Sequence, residues 1–423
     1  MQAIRKFINN KMSMNRDLLL LLVIGGLYAL GIFLSNTFVN IYIWKQSGDY
    51  ITIALYNLAT YIFQAMTFIV AGRFAKRVDR IIVLRLGVIF LALFFLSVLL
   101  IGNHASTYNF LLGSLLGIGY GFYWLAFNVL TFEITEPDTR DFFNGFLGIL
   151  QSFGGMIGPL LAGIIISNMN ANVGYTTIFT ISLILFICSV AISFLLKRRS
   201  AEGSYQFFQV LKERKNNKNW KRILHAHFLQ GLREGVFAFV ISIWVFVLTQ
   251  SEFALGIFNL FLSGISIVLY FFATKYIKPA ARKKAVLIGS ILLSISSFIF
   301  LFPIDFIFLI VYAVFIGIAY PIINVPYVSL TYDVIGHARN AKELRIEYIV
   351  VRELFLNVGR IISIVIFIVL VHLFTAVKVI PILLVVLGSA HLFIYLYVKN
   401  ISLGSHKKRE ILIKDQITDE KDR

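Results

Sequence analysis

The sequence predicts an all-α polytopic membrane protein, with twelve transmembrane helices in two pseudo-symmetric six-helix bundles. Three observations predict it. The 423 residues are 59% hydrophobic and only 14% charged, whereas soluble domains carry roughly a quarter charged residues. The apolar residues fall into twelve long runs, and a spanning helix needs about 20 mostly apolar residues because hydrocarbon offers its backbone no water. Finally, segments of the first half recur in the second at offsets of 200 to 202 residues.

The first-half runs cover 17–44, 51–72, 81–102, 108–131, 142–167 and 175–196. The first is too long, and begins too far from the start, for a cleaved signal peptide. Between the second and third lies the basic stretch AGRFAKRVDRIIVLRLG, from Ala71. The fourth carries GIGYGFYWLAFNVLTFEI from Gly117, with Glu133 near its end. The fifth holds Gly145, Gln151, Gly154 and then Gly158-Pro159-Leu160-Leu161-Ala162-Gly163. The sixth contains Cys188, the single cysteine, so no disulfide forms within the chain.

A hydrophilic stretch, 197–220, joins the halves, and its segment YQFFQVLKERKNN suits a short amphipathic helix on the inner membrane surface. The second-half runs cover 221–248, 253–274, 285–303, 306–330, 346–371 and 378–399. The seventh includes HAHFLQGLREGVF, and the eighth places Asn259 where the second has Asn57. After the eighth, ATKYIKPAARKKAVLIG from Ala273 lies over the earlier basic stretch, with Lys76 on Lys278, Arg80 on Arg282 and Gly87 on Gly289. In the tenth, GIAYPIINVPYVSLTYDV lies over the copy in the fourth: Gly117 meets Gly317, Tyr120 meets Tyr320, and Glu133 meets Asp333. Several matches at one spacing indicate duplication into two parallel bundles. The expected organisation is an N-terminal bundle, 1–196, a cytoplasmic central loop, 197–220, a C-terminal bundle, 221–399, and a cytoplasmic polar tail, 400–423.

Thirty-five of the 39 Lys and Arg fall on one side of this topology. Only Lys45 and Lys378 lie on the other, and Arg233 and Arg360 lie within the membrane. Basic residues accumulate in short cytoplasmic loops, so both termini are expected in the cytoplasm. The net charge of +18 is then a topological signature. Scattered over short loops, it argues against a nucleic-acid partner. No nucleotide-binding loop, nucleophile elbow or HExxH helix occurs. No enzyme activity and no cofactor are expected, and transport would draw on a gradient or on the solute itself. His225 and His227 stand without an Asp/Cys cluster at ligand spacing, so no metal site is expected.

With these features in view, the chain resembles the major facilitator superfamily of secondary transporters over essentially its whole length. The fifth-run pattern of Gly145, Gly154, Gly158, Pro159 and Gly163 resembles the family's motif C, with Ala162 where a glycine often stands. Small residues there permit close helix contact, and Pro159 loosens the backbone ladder. That resemblance implies proton-driven antiport and efflux; a plain glycine-rich packing face is the alternative. Gly72 to Arg80 resembles motif A, but Lys76 stands where an acid belongs and Asp79 where a glycine does, which puts the family's cytoplasmic latch in question. The fourth run keeps Gly117, Gly119 and Gly121 of motif B. Gly113 occupies the place of its arginine, so that arginine's proton-related role is not carried over.

Other charges lie at bilayer depth. His227, Gln230 and Glu234 share a face of the seventh helix with Arg233 beside it. Arg233 falls roughly 18 Å in from Lys221, near the middle of a ~30 Å core. On the eleventh helix, EYIVVRELFLNVGRI, Glu353, Asn357 and Arg360 share a face, with Arg352 nearer the cytoplasm. Ionised groups at this depth cost at least about 2.5–3.5 kcal/mol each, so these stripes should point inward. Arg233, Arg352 or Arg360 would bind an anionic group, and Glu234 or Glu353 would exchange a proton. Alternatively, Arg233–Glu234 and Arg352–Glu353–Arg360 are internal ion pairs. The family's cavity is lined by the first and fourth helices of each half. The resemblance therefore implies lining by Asn36, Asn40, Tyr120, Trp124, Asn128, Tyr320, Asn324 and Tyr327, with Gln151 nearby on the fifth helix. Pro321 and Pro326 are expected to bend the tenth helix. Arg73, Arg80 and the loop acids Glu133 and Asp333 are expected at the inner gate, or as solvated caps.

The leading functional expectation is a proton-coupled carrier working by alternating access on a small or amphipathic solute, exporting rather than importing. A lipid or glycolipid translocase is the alternative, and a non-transporting sensor or scaffold is the third reading. The Phe/Ile/Lys-rich, Cys-poor composition points to a bacterial plasma membrane, with the protein acting as a monomer in the bilayer.

Overall fold

The computed structural model describes residues 16–134, 140–196, 204–303 and 305–403. The expected polar tail falls almost wholly outside them, as do residues 1–15 of the first bundle and 197–203 of the central loop. The first half contains α1 (Arg16–Ser47), α2 (Tyr50–Arg77), α3 (Arg80–Ile101), α4 (Asn109–Ile134), α5 (Arg140–Asn168) and α6 (Ala171–Ser193). The second contains α7 (Lys218–Thr249), α8 (Glu252–Tyr276), α9 (Arg282–Ser297), α10 (Phe306–Gly336), α11 (Ala341–Leu373) and α12 (Ala376–Val398). All twelve are long and apolar enough to cross a membrane, α9 together with its flanking 3-10 turns, and the described residues contain no strand.

Several helices run past their apolar cores into polar sequence. Glu133 and Asp333, expected in loops, stand instead in the last turns of α4 and α10. A helix closes its own backbone hydrogen bonds whether or not its last turn is apolar, so hydropathy marks where the hydrocarbon ends and not where the helix does. Side-chain caps begin several helices: Asp49 accepts from Ile51 and Thr52, Ser251 from Ala254, and Asp305 from Phe308. The helix α10 continues through both Pro321 and Pro326.

The two halves repeat one packing scheme. In the first, α1 meets α5 and α6, α2 meets α4, and α3 meets α4 and α6; adding six to each number gives the contacts of the second. The repeated glycines explain part of this register. A Cβ at Gly87 would strike the backbone of Tyr123, and one at Gly289 the backbone of Ile323, so each copy lets its third helix touch its fourth. Gly117 and Gly317 do the same for the fourth helix against the Thr60 and Leu262 carbonyls of the second.

The halves meet along two lateral seams, α5 on α8 and α2 on α11, with α1 and α7 adjoining between them. The motif C glycines divide their work. Gly145 and Gly163 face Thr274 and Glu252 of α8, while Gly154 and Gly158 face Ala29 and Phe33–Leu34 of α1. The central-loop helix is a short one, Phe207–Glu213. It packs on α11 with Val210 fully buried and its carbonyl accepting from the Trp220 indole at 3.3 Å. Its apolar side is thus spent largely on the protein, although Phe208 remains exposed.

Candidate functional site

Close approach of α7 and α11 builds the centre of the site. A Cβ at Gly231 would strike the Leu356 carbonyl, one at Gly235 the Arg360 carbonyl, and one at Gly359 the Phe228 carbonyl. That contact sets Glu234 beside Arg360. Nη2 of Arg360 donates to Glu234 Oε2 at 2.5 Å and Nε donates at 3.2 Å. The amide of Gln230 donates to the other oxygen at 2.7 Å, and Arg360 Nη1 donates to Asn357 at 3.2 Å. From the opposite half, the Tyr61 ring lies 5.0 Å from the Arg360 guanidinium. Tyr120 and Tyr320 stand half-buried on α4 and α10.

A second cluster lies nearer the basic end. Arg352 pairs with its sequence neighbour Glu353 and lies over the Tyr332 ring. Asn128 of α4 bridges to it from the other half, donating to Glu353 at 3.2 Å and accepting from the Tyr332 hydroxyl at 3.3 Å. His227 Nδ1 stands 2.8 Å from the Tyr327 hydroxyl and 2.9 Å from the Ile223 carbonyl. Accessibility separates the two clusters: the Arg360 and Glu234 side chains are each 17% exposed, against 6% and 8% for Arg352 and Glu353. The first pair is the more accessible of the two.

Ion pairs join the halves at both ends of the helices. At the basic end Lys76 of α2 reaches Glu347 of α11 at 3.0 Å, both fully buried, and also contacts the Glu343 carbonyl. This ion pair joins the halves with the cation standing where motif A has its acid. Glu347 also accepts from the Gln206 backbone at 3.1 Å, tying the central loop to this ion pair. Burial, and then the Glu347 charge, push the neighbouring Tyr205 phenol above its ordinary pKa. Glu133 lies 2.7 Å from Arg80 and 2.8 Å from Arg345 of the other half. Arg282 bridges Asp333 at 2.5 Å and Asp141 of the first half at 2.7 Å. Thus Arg80–Glu133 and Arg282–Asp333, matched by the sequence repeat, form matching pairs. At the opposite end Lys45 of α1 meets Glu252 of α8 at 2.9 Å, and Tyr175 donates to the same carboxylate at 3.0 Å.

Several expected residues stand elsewhere. Arg233 and Glu234 do not pair, nor do Arg360 and Glu353: Glu234 goes to Arg360, and Arg233 turns toward Tyr312 of α10. Arg73 is exposed on α2 and joins no ion pair among the described residues. Asn40 bonds Asn57 at 2.8 Å and the Asn36 carbonyl, Trp124 packs edge-on to Tyr28, and Asn324 donates to Tyr270 of α8. Gln151 is half-buried on α5 and makes no side-chain hydrogen bond among the described residues. Sequence reasoning missed Tyr61, Lys45, Glu252, Glu347, Arg345 and Asp141. Two signals were available: Lys76 at an acid's position calls for a compensating acid, and Lys45 is one of only two basic residues on its side.

The sequence profile described as Major Facilitator Superfamily matches residues 21–363. The uncharacterized protein YqgE of Bacillus subtilis (strain 168) is 56% identical over 401 residues, covering 95% of this chain and 93% of that one. An uncharacterized protein in the sodM 3' region of Geobacillus stearothermophilus is 61% identical over 194 residues, covering 46% of this chain and 91% of that one. Among solved structures, the human organic anion transporter MFSD10 (TETRAN) superposes with a TM-score of 0.69 at 13% identity, covering 90% of this chain and 98% of that one. The E. coli fucose:proton symporter FucP gives 0.68 at 15% identity, covering 91% and 98%. At these identities the two structures speak for the fold alone.

Proposed function

The chain belongs to the Major Facilitator Superfamily and is a multi-pass secondary transporter, and from that premise we propose that it exchanges protons for a small amphipathic solute by alternating access, with Glu234 as the coupling group. The observation that carries this reading is the Glu234–Arg360 pair, held at mid-helix, partly accessible, and facing Tyr61 of the other half. The Glu234 carboxylate cannot keep a proton and its ion pair together. A solute that needs the same carboxylate is excluded by the proton, and mutual exclusion at one group is what exchange requires.

The surroundings favour a solute with a cationic or hydrogen-donating head and an aromatic or apolar body. Arg360 already places a cation over Tyr61 and against Glu234, and a solute cation would use the same ring and carboxylate. Protonation of Glu234 from the far side would dissolve the pair and favour opening at the basic end, which the charge distribution assigns to the cytoplasm of a bacterial cell. Export follows, in line with the glycine face of α5. The lateral seams are close-packed in this conformation, Gly148 of α5 against Tyr270 and Gly72 of α2 against Val350. That gives the lipid-translocase alternative no support here.

The test uses proteoliposomes with an imposed pH gradient and ethidium as a lipophilic cationic probe, read for ethidium movement and internal pH. Wild-type protein should couple the two fluxes, Glu234→Gln should abolish the dependence on the gradient, and Glu353→Gln should retain it. Unchanged coupling in Glu234→Gln contradicts the assignment.

A further inference from the structure

The charges at mid-helix do not balance. Glu234 answers Arg360 and Glu353 answers Arg352, but Arg233 has no carboxylate partner among the described residues. It is 5% exposed. Successive helical residues point about 100° apart, and Arg233 turns away from α11 toward Tyr312 of α10. A guanidinium does not lose its proton in a protein, so this charge stands uncompensated in a position where compensation is needed.

Around it lie polar atoms that lack partners. Nη2 of Arg233 donates to the Tyr312 hydroxyl at 3.2 Å, which leaves that O–H able to donate onward. Nε of Arg233 is buried without an acceptor. On α12, which packs against α7, His391 is 3% exposed and its Nδ1 also lacks a partner. One turn earlier on the same helix, a Cβ at Gly388 would lie 3.4 Å from the Phe237 ring, which itself stands against the Arg233 guanidinium. The walls are aromatic: Phe237 stands 4.4 Å from the guanidinium, and Phe300 packs on both Phe237 and Tyr312.

We propose that Arg233, Tyr312 and His391 form a site inside the C-terminal bundle for a small monovalent anion, of the halide or short-carboxylate class, that serves as the counter-ion of Arg233. Arg233 Nε, the Tyr312 O–H and His391 in its Nδ1–H tautomer would supply donors, and with one fixed positive charge and narrow aromatic walls they suit a compact, weakly hydrated anion. A water could satisfy the donors, but it would leave the charge. The site does not depend on the proton-coupling role of Glu234, whose carboxylate is directed to Arg360.

The test is thermal unfolding of the purified full chain in detergent, in sodium gluconate, with chloride or formate replacing gluconate at constant ionic strength. Wild type and Glu234→Gln should both show a saturable rise in Tm. A rise with formate alone keeps the site and assigns it to a carboxylate. Arg233→Met should lose the anion dependence and, relieved of a buried unpaired charge, should be at least as stable in gluconate as wild type. His391→Phe, a second variant should Arg233→Met fail to fold, should weaken the apparent affinity roughly tenfold through loss of one donor. No anion-dependent rise in wild type, or an undiminished rise in Arg233→Met or His391→Phe, overturns the proposal.

Discussion

Glu234 stands next to Arg233 in the chain, yet its partner is Arg360, 126 residues on. Removing one member of a buried pair strands the other, at a cost approaching about 3 kcal/mol for a pair that keeps some solvent access. Glu234→Gln and Arg360→Met should therefore each lower Tm in detergent, while the double variant should be more stable than either and still fail to couple proton and solute. Two single-site losses that simply add would contradict a direct interaction. The sequence made the buried charges visible through their depth and helical spacing. It did not reveal the partners, because those depend on which helix faces lie together: Arg352 does pair with its neighbour Glu353, whereas Arg233 and Glu234 part toward different helices. The packing that decides this runs through Gly231, Gly235 and Gly359, which read in sequence as ordinary small residues.

At the scale of elements, the α2–α11 ion pair, proposed as a latch at the basic end, makes a sharper forecast than any single residue. Lys76 and Glu347 are buried at 3.0 Å with the polarity of the family's motif inverted. Lys76→Glu would set two carboxylates against each other and should open the basic end and lower stability. Exchanging the charges in Lys76→Glu/Glu347→Lys should recover much of the loss, though not the Gln206 backbone bond to the Glu347 carboxylate. Transport and thermal unfolding of the single and double variants check this, and a double variant no better than Lys76→Glu contradicts the latch. All twelve helices were legible as apolar runs, but their polar ends were not. The tenth run closes at 330 in hydropathy while α10 continues to Gly336, carrying Asp333 to Arg282. The repeat aligns Arg80 with Arg282 and Glu133 with Asp333, and the fold pairs each acid with the arginine of its own copy.

For the whole molecule, ion pairs join the halves at both ends: Lys45–Glu252 at one end, and Lys76–Glu347, Arg345–Glu133 and Arg282–Asp141 at the other. Alternating access requires that these sets open in turn. The Glu234–Arg360 pair between them is the element that a proton would bias. The most direct test is a distance distribution between spin labels at the exposed positions Arg73 and Lys342, one on each half at the basic end, in a Cys188→Ser background. In otherwise unaltered protein, acidification should lengthen and broaden the distances. With Glu234→Gln added, the acidic distribution should already be present at alkaline pH and should no longer respond. A Glu234→Gln protein whose distances still shift with pH as the parent's do would contradict the account.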